Sequence, residues 1–333
     1  MDALDRIPGF IVLPETDIFP RPELRDTAKA EAPAPLHLAV GIFDGVHRGH
    51  LCVIGAAVEA ARNEGGRSGV LTFHPHPSRL FRPDDPTLLF MPAAMKNRRL
   101  FEAGVDYVMW KTFGPDFAAL SAQDFLPALR FALPTLAGVY VGENFRFGRG
   151  RKGDVTVLAA SGEEVGVRVR GEPRLMHGGS PLSSSRIREC LRGGAFAEAN
   201  ELLGRPYATL STVTRGKRLG RQLGFPTLNL PWSPELLPRF GVYAANVRRP
   251  GDPREDGLPA VANFGIRPTV EEGVEPRLEC HVLAESCPFS TGDCLLAEWL
   301  TFLRPEQRFE SVNALRQRIG EDVEQARGYF GTV

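Results

Sequence analysis

From Leu36 onward the chain alternates short apolar runs with stretches of helical spacing. Leu36 to Val40 is an apolar run ended by Gly41, and Leu51 to Arg62 carries apolar residues three and four apart, which predicts strand, loop and helix. Val70 to Phe73 reads as the next strand. Met95 to Ala103 and Ser121 to Phe131 have helical spacing, while Tyr107 to Trp110 and Gly138 to Val141 read as strands. Such alternation predicts a parallel sheet with helices on its faces. A helical stretch follows from Arg186 to Leu203, broken at Gly193 and Gly194. The character then changes. Leu210 to Val213, Thr227 to Leu230, Gly241 to Val247, Ala260 to Phe264, Arg277 to Leu283 and Leu295 to Leu303 are short strands between Gly, Pro or acidic turns, as in a small sandwich or barrel. An amphipathic helix is expected from Ser311 to Tyr329. Residues 1 to 36 are Pro-rich, carry a weak strand signal at Phe10 to Leu13, and read as a loosely structured lead-in.

Composition narrows the function classes. Forty basic against forty acidic side chains give no global field for a nucleic acid or an anionic membrane, so no partner of either kind is expected and any phosphate chemistry must be local. Five cysteines without a CxxC pair argue against a disulfide framework or structural zinc and fit a reducing compartment. No apolar run reaches the ~18 to 20 residues that span a bilayer, and the first residues are acidic where a signal peptide is basic; a cytoplasmic protein is expected.

The densest chemistry lies between the first strand and its helix, in Gly41, Ile42, Phe43, Asp44, Gly45, Val46, His47, Arg48, Gly49 and His50. Doubly wound folds present such loops to ligands at the carboxyl ends of their strands. Glycines let backbone approach a phosphate, the helix N-terminus favours an anion, and two imidazoles three residues apart reach one group. A zinc pair is the competing reading. The histidines at 37, 74, 76, 177 and 281, however, lack Cys or carboxylate partners at ligand spacing.

GIFDGVHRGH resembles the HxGH signature of the nucleotidyltransferases, in the form found in bacterial bifunctional riboflavin kinase/FAD synthetases. Three further segments are similar to that family in order. Leu71 to Pro77 resembles the TFxPHP segment that lines the flavin site, which implies flavin contacts from Phe73, Pro75, His76 and Pro77. Val141 to Gly148 resembles VGxxFxFG, which implies a nucleotide contact from Asn144 and flavin contacts from Phe145 and Phe147. Leu182 to Arg188 resembles SSTxIR, which places Ser183, Ser184, Ser185, Arg186 and Arg188 with the nucleotide phosphates, beside Gly41, Phe43, Asp44, Gly45 and Gly49. Arginines and hydroxyls suit a triphosphate and flat rings suit an isoalloxazine, although each aromatic taken singly reads as core. The implied chemistry is transfer of AMP from ATP to FMN. Positioning and charge stabilisation by His47, His50 and Arg188 carry it, with Mg²⁺ and without a general base, because the attacking phosphate is already ionised.

A second basic, glycine-bearing run spans Val213 to Asn229. It lacks a Walker A ending, yet Gly216, Arg221 and Gly224 suit phosphate, and Thr227 and Asn229, alternate residues on a strand, offer two oxygens to a hard cation such as Mg²⁺. A ligand-free basic hairpin is the alternative from these residues alone. LGFPTLN is similar to the PTxN signature of riboflavin kinases, a six-stranded barrel fused behind the adenylyltransferase. Gly241 to Ala244, Asn263 to Thr269 and Arg277 to Leu283 match further segments, and the last implies that Glu279 is the base for a neutral ribityl hydroxyl.

The expectation is therefore α/β plus β. A Rossmann-like nucleotidyltransferase domain, a doubly wound parallel sheet, spans 1–188. A helical linker spans 189–205, and a six-stranded antiparallel barrel with a C-terminal helix spans 206–333. Riboflavin, FMN and ATP are the expected small-molecule partners, with FMN and FAD as products. Two departures stand out. Ala284 to Cys294 replaces an acidic turn and a Leu-Tyr-Gly step, and Ser185 replaces a threonine. The first leaves open a chain that keeps only adenylyl transfer. A flavin- and nucleotide-binding regulator without turnover is the reading from a different class, disfavoured by the joint presence of His47, His50, Arg188, Thr227, Asn229 and Glu279.

Overall fold

Apolar runs and helical spacings become the expected elements in the computed structural model, which describes residues 16–20, 34–216, 219–266 and 276–331. The strand signal at Phe10 to Leu13, and Lys217, Arg218, Arg267, Pro268 and Thr269, lie outside the described residues. The chain divides into two compact units, Met1–Ser183 and Ser184–Val333.

The first unit is built on a sheet of β1 (Thr16–Pro20), β2 (Leu36–Val40), β3 (Arg67–His74), β4 (Tyr107–Thr112), β5 (Leu136–Gly142) and β6 (Arg168–Glu172), in the order β1-β4-β3-β2-β5-β6. Strands β2 to β6 pair in parallel, whereas β1 runs antiparallel along β4 at the edge. At Thr16–Pro20 that edge strand corrects the reading of residues 1 to 36 as a loosely structured lead-in. TDIFP is too short for apolar alternation to show, and an antiparallel edge on a parallel sheet needs little pattern of its own. Helices α1 (Arg48–Asn63), α2 (Ser78–Phe81), α3 (Ala93–Glu102), α4 (Pro115–Ala119), α5 (Ala122–Ala132) and α6 (Val155–Val165) connect the strands, and a small ribbon of β7 (Met176–His177) and β8 (Ser180–Pro181) follows.

Helix α6 and strand β6 were not expected from spacing. Asp154 caps α6 by accepting from the amides of Thr156 and Val157, and Gly166 ends it in the left-handed conformation. Beneath the helices, Leu38, Val40, Leu71, Phe125, Leu126, Val139, Val141 and Leu158 form one buried cluster.

At the amino end of this sheet His37 is fully buried, with Nε2 3.2 Å from the Glu64 carboxylate and Nδ1 3.2 Å from the Tyr140 hydroxyl. Burial pushes its imidazole below the usual 6.5, and the Arg168 charge adds to this while Glu64 opposes it. The unfolded chain therefore binds this proton more readily, and stability falls as pH drops below 6.5. Melts of the full chain from about pH 7.5 to about pH 5 are expected to show the first unit losing stability, and His37→Gln to flatten that dependence. An equal slope in the variant would refute this role.

The second unit begins with α7 (Ser184–Gly193) and α8 (Phe196–Leu203), separated at Gly194 (φ 84°) as the glycine pair predicts. Strands β9 (Tyr207–Thr212), β10 (Leu228–Pro231), β11 (Gly241–Arg248), β12 (Leu258–Ile266), β13 (Pro276–Val282) and β14 (Cys294–Pro305) form an antiparallel sheet in the order β10-β13-β12-β11-β14-β9. A short helix, α9 (Leu219–Gln222), lies between β9 and β10, and α10 (Val312–Phe330) ends the unit. Thr214 N donates to Asn229 O at 2.9 Å and Ser211 Oγ to Pro231 O at 2.6 Å, so the outermost strands nearly close the sheet into a barrel. Alternate residues fill it. Tyr243, Phe264 and Trp299 are buried, Phe196 of α8 stacks on Trp299 at 5.5 Å, and Trp299 Nε1 donates to Thr209 Oγ1. On the outer wall Val242, Ala244 and Val261 pack against Val323 and Ala326 of α10.

Candidate active sites

In the first unit the chain steps from β2 outward to β3 and β4, then returns to place β5 and β6 on the other side of β2. The strand order thus reverses between β2 and β5, where a crevice opens at the carboxyl ends. Residues 41–47 leave β2 at this point and residues 143–147 leave β5. The Phe73–Pro77 segment ends β3 at the same edge.

The loop after β2 is held in an unusual backbone. Phe43 (φ 51°), Gly45 (φ 84°) and Val46 (φ 42°) are all left-handed, a region that a β-branched residue almost never enters. Gly41 allows the turn, since a Cβ there would lie 2.9 Å from the Phe43 ring. Asp44, Val46 and His47 are buried. His47 caps α1 with its own ring, as Nδ1 accepts from His50 N at 3.2 Å. That bond puts the His47 proton on Nε2, ready to donate to an oxyanion. The two imidazoles stack with centroids 3.4 Å apart, and Phe43 meets His50 edge-on at 5.3 Å. Gly49 makes room for this, because a Cβ there would sit 3.3 Å from the His47 ring. Two imidazoles, a helix N-terminus and a sharply turned backbone converge at the crevice, an arrangement whose chemistry suits a phosphate.

The expected aromatic residues divide by burial. Phe73 and Phe147 lie in the core, Phe73 against Phe113 and Phe117, Phe147 against Phe125. Phe145 is half-buried and stacks on Phe147 at 5.4 Å. Pro75, His76 and Pro77 are half-buried, with His76 Nδ1 2.8 Å from Ser78 Oγ, and Asn144 is exposed. Ser184, Ser185, Arg186 and Arg188 begin α7, in the second unit. Arg188 is buried there, and Arg186 is ion-paired with Glu198 of α8.

Sequence reasoning missed Lys96. It lies on α3 and is almost wholly buried, with Nζ donating to the Ile42 carbonyl and, at 2.6 Å, to Thr72 Oγ1. Burial pushes its ammonium down to about 7, against the opposing pull of Asp44. Nothing local in MPAAMKNRR marks it, since its partners are 54 and 24 positions away.

In the second unit the register across β10, β13 and β12 sets Asn229 opposite Glu279 and Glu279 opposite Asn263. Directly opposed residues share a face, so the carboxylate stands between two carboxamides on the outer wall. Asn263 was not singled out from sequence; only the pairing shows its place. Residues 214–216 and 219–227 lie over the same wall. Gly216 lies flat against Asn229, where a Cβ would come within 2.3 Å of the carboxamide, and Gly220 lies equally close to the Phe225 carbonyl. His281, two residues beyond Glu279, bonds the Pro226 carbonyl at 2.8 Å and meets the Phe225 ring edge-on. It thereby steadies the approach to half-buried Thr227. Arg221, on α9, and Gly224, two residues past its end, are exposed. The divergent 284–294 segment is anchored by Arg249, which reaches Asp293 at 3.1 Å and the Pro288 carbonyl at 3.3 Å.

Two family models match the chain, one after the other. A family model described as FAD synthetase matches residues 29–186 and one described as riboflavin kinase matches residues 203–330. The bifunctional riboflavin kinase/FMN adenylyltransferase of Escherichia coli K12 is 38% identical over 294 residues, covering 88% of this chain and 92% of that protein. Its namesake from Bacillus subtilis is 31% identical over 300 residues, covering 89% and 93%. Among solved structures, the macrolide-efflux protein of Streptococcus pneumoniae is 28% identical with a TM-score of 0.77, covering 90% of this chain and 96% of that one. Among the described residues no helix is long and apolar enough to cross a membrane.

Proposed function

This chain belongs to the bifunctional riboflavin kinase/FMN adenylyltransferase family, and from that premise we propose how its residues share the work of making FMN from riboflavin and FAD from FMN. The enzyme consumes one ATP in each step. The observation that carries the assignment of residues is the contrast between the two sites. One stacks two imidazoles at a helix N-terminus, and the other sets a carboxylate between carboxamides.

Adenylyl transfer uses the first site. A phosphate oxygen of FMN attacks the α-phosphorus of ATP, the new P–O bond forms as the α–β bridge breaks, and pyrophosphate leaves. No proton must be removed from the nucleophile. His47, through Nε2, and His50 stabilise the growing charge, and the backbone of Gly41 to Gly49 cradles the phosphates. The phosphate-binding role of Ser183, Ser184, Ser185, Arg186 and Arg188 rests on the family motif. Phe145, Pro75, His76 and Pro77 meet the flavin, with Phe73 and Phe147 backing them from the core.

Phosphoryl transfer uses the barrel. Glu279 takes the proton of the ribityl hydroxyl as its oxygen attacks the γ-phosphorus, and ADP leaves. The oxygens of Thr227 and Asn229 suit Mg²⁺, a hard cation, and the flat seat that Gly216 gives the Asn229 carboxamide fits that use. Bound there with ATP, Mg²⁺ would neutralise phosphate charge. Gly216 and Gly224 open the backbone to the nucleotide and Arg221 adds charge. A cytoplasmic setting, where ATP is abundant, matches these substrates.

One result tests the kinase half of this assignment. Gly216→Ala is expected to displace the Asn229 carboxamide and to reduce FMN formation, by up to about 100-fold for a shift near 1 Å, while FAD synthesis from supplied FMN is unchanged. Chromatographic assay of both products decides it, and a wild-type rate of FMN formation counts against Asn229 as a ligand.

A further inference from the structure

We propose that Lys96 is a positioning residue for adenylyl transfer, fixing the Gly41–His50 loop through the Ile42 carbonyl. The proposal rests on the reading of that loop as the adenylylation site. A lysine on the buried stripe of an amphipathic helix is costly, since its ammonium must leave water. On α3 it sits beside buried Met95 and near buried Leu100, where methionine would fill the same space without a charge. Packing alone therefore does not account for it.

What Lys96 does satisfy is specific. Its Nζ donates to the Ile42 carbonyl and to Thr72 Oγ1, and the ammonium lies 4.5 Å from the centroid of the Trp110 ring. Thr72 Oγ1 in turn donates to the same carbonyl at 3.0 Å. One oxygen thus receives two donors, from α3 and from β3. Ile42 is the residue immediately before Phe43, the first of three left-handed residues within four positions. Backbone of that kind persists only where its surroundings over-determine it. Ring stacking and the His47 cap fix the loop at its far end, and the Lys96–Thr72 clamp fixes it at the near end. Between them lie the donors that must face a phosphate. Burial pushes the Lys96 ammonium down to about 7 with Asp44 opposing, so its place in the core carries a cost that its bonds to Ile42 and Thr72 offset. The role is exerted through the loop, not by contact with the reacting atoms.

Steady-state kinetics of FMN adenylylation by the full chain test this. Lys96→Met is expected to lower kcat by about 10-fold or more, with the KM for FMN within about twofold of wild type, because loop placement and not flavin contact is lost. Thr72→Val is expected to lower kcat in the same sense, and Thr72→Ser, which keeps the hydroxyl, to restore it. The double variant Lys96→Met with Thr72→Val should be no slower than the worse single variant, since both remove one clamp. Riboflavin phosphorylation by the same preparations should be unchanged. A wild-type kcat for Lys96→Met, or a defect confined to KM, overturns the proposal. If Lys96→Met does not fold, equal kcat values for Thr72→Val and Thr72→Ser overturn it. His50→Ala measured alongside separates the two levels. Full FAD formation by that variant removes the site and the proposal together, whereas an inactive His50→Ala beside a fully active Lys96→Met removes the anchoring role alone.

Discussion

Glu279→Gln is expected to slow FMN formation from riboflavin by about 10²- to 10⁴-fold, the range of a lost general base, while FAD synthesis from supplied FMN continues. The substitution keeps the side-chain length and its place between Asn229 and Asn263 in the strand register. It removes only the ability to hold the proton. That proton matters because the ribityl oxygen is a neutral alcohol, which cannot attack a phosphorus efficiently while it retains its hydrogen. His281 is no substitute. It lies on the same face two residues on, but its Nδ1 is bonded to the Pro226 carbonyl and its ring is packed against Phe225. A Gln variant that still phosphorylates riboflavin at the wild-type rate would move the base elsewhere.

The complementary loss is expected from His50→Ala. FAD formation should fall by about 10²-fold or more, the scale of one preorganised donor to a developing oxyanion, with riboflavin phosphorylation retained. Two effects combine in this one side chain. The imidazole is lost as a donor, and the His47 ring loses the partner it stacks on at 3.4 Å, although the backbone amide of residue 50 still bonds its Nδ1. The defect should appear in kcat, because charge grows on the phosphate oxygens only as the bond to pyrophosphate breaks. A change confined to the KM for FMN would mean that His50 binds flavin instead.

Much of this organisation is legible in the residues because it is local. The strand, glycine-rich loop and helix from Leu36 to Arg62 announce themselves by spacing, and the Gly193–Gly194 break in the helical stretch falls between α7 and α8. The short apolar runs after Pro206 become the barrel strands with ends shifted by a few residues, as Tyr207–Thr212 shows against the expected Leu210 to Val213. Strand β6, Arg168–Glu172, is illegible because an edge strand of alternating arginines buries little and carries no apolar pattern. The left-handed backbone at Phe43 and Val46 is equally silent, for neither residue type signals positive φ. Phe73 and Phe147, which the family resemblance assigns to the flavin and which singly read as core, are buried, and periodicity alone does not separate them from half-buried Phe145. Asn263 and Lys96 belong to neither local pattern. The first acquires its place from strand pairing and the second from partners brought together by the sheet, so only the folded chain reveals them.

The central claim is that two separate sites, each needing its own residues, act in turn on one vitamin. It is tested most directly by giving riboflavin and Mg·ATP to Glu279→Gln, to His50→Ala, and to an equimolar mixture of the two, and following FMN and FAD by chromatography. The account predicts FMN without FAD from His50→Ala, almost no product from Glu279→Gln, and steady FAD accumulation only in the mixture. FAD made from riboflavin by either variant alone, or a mixture of folded proteins that forms neither product, would contradict it.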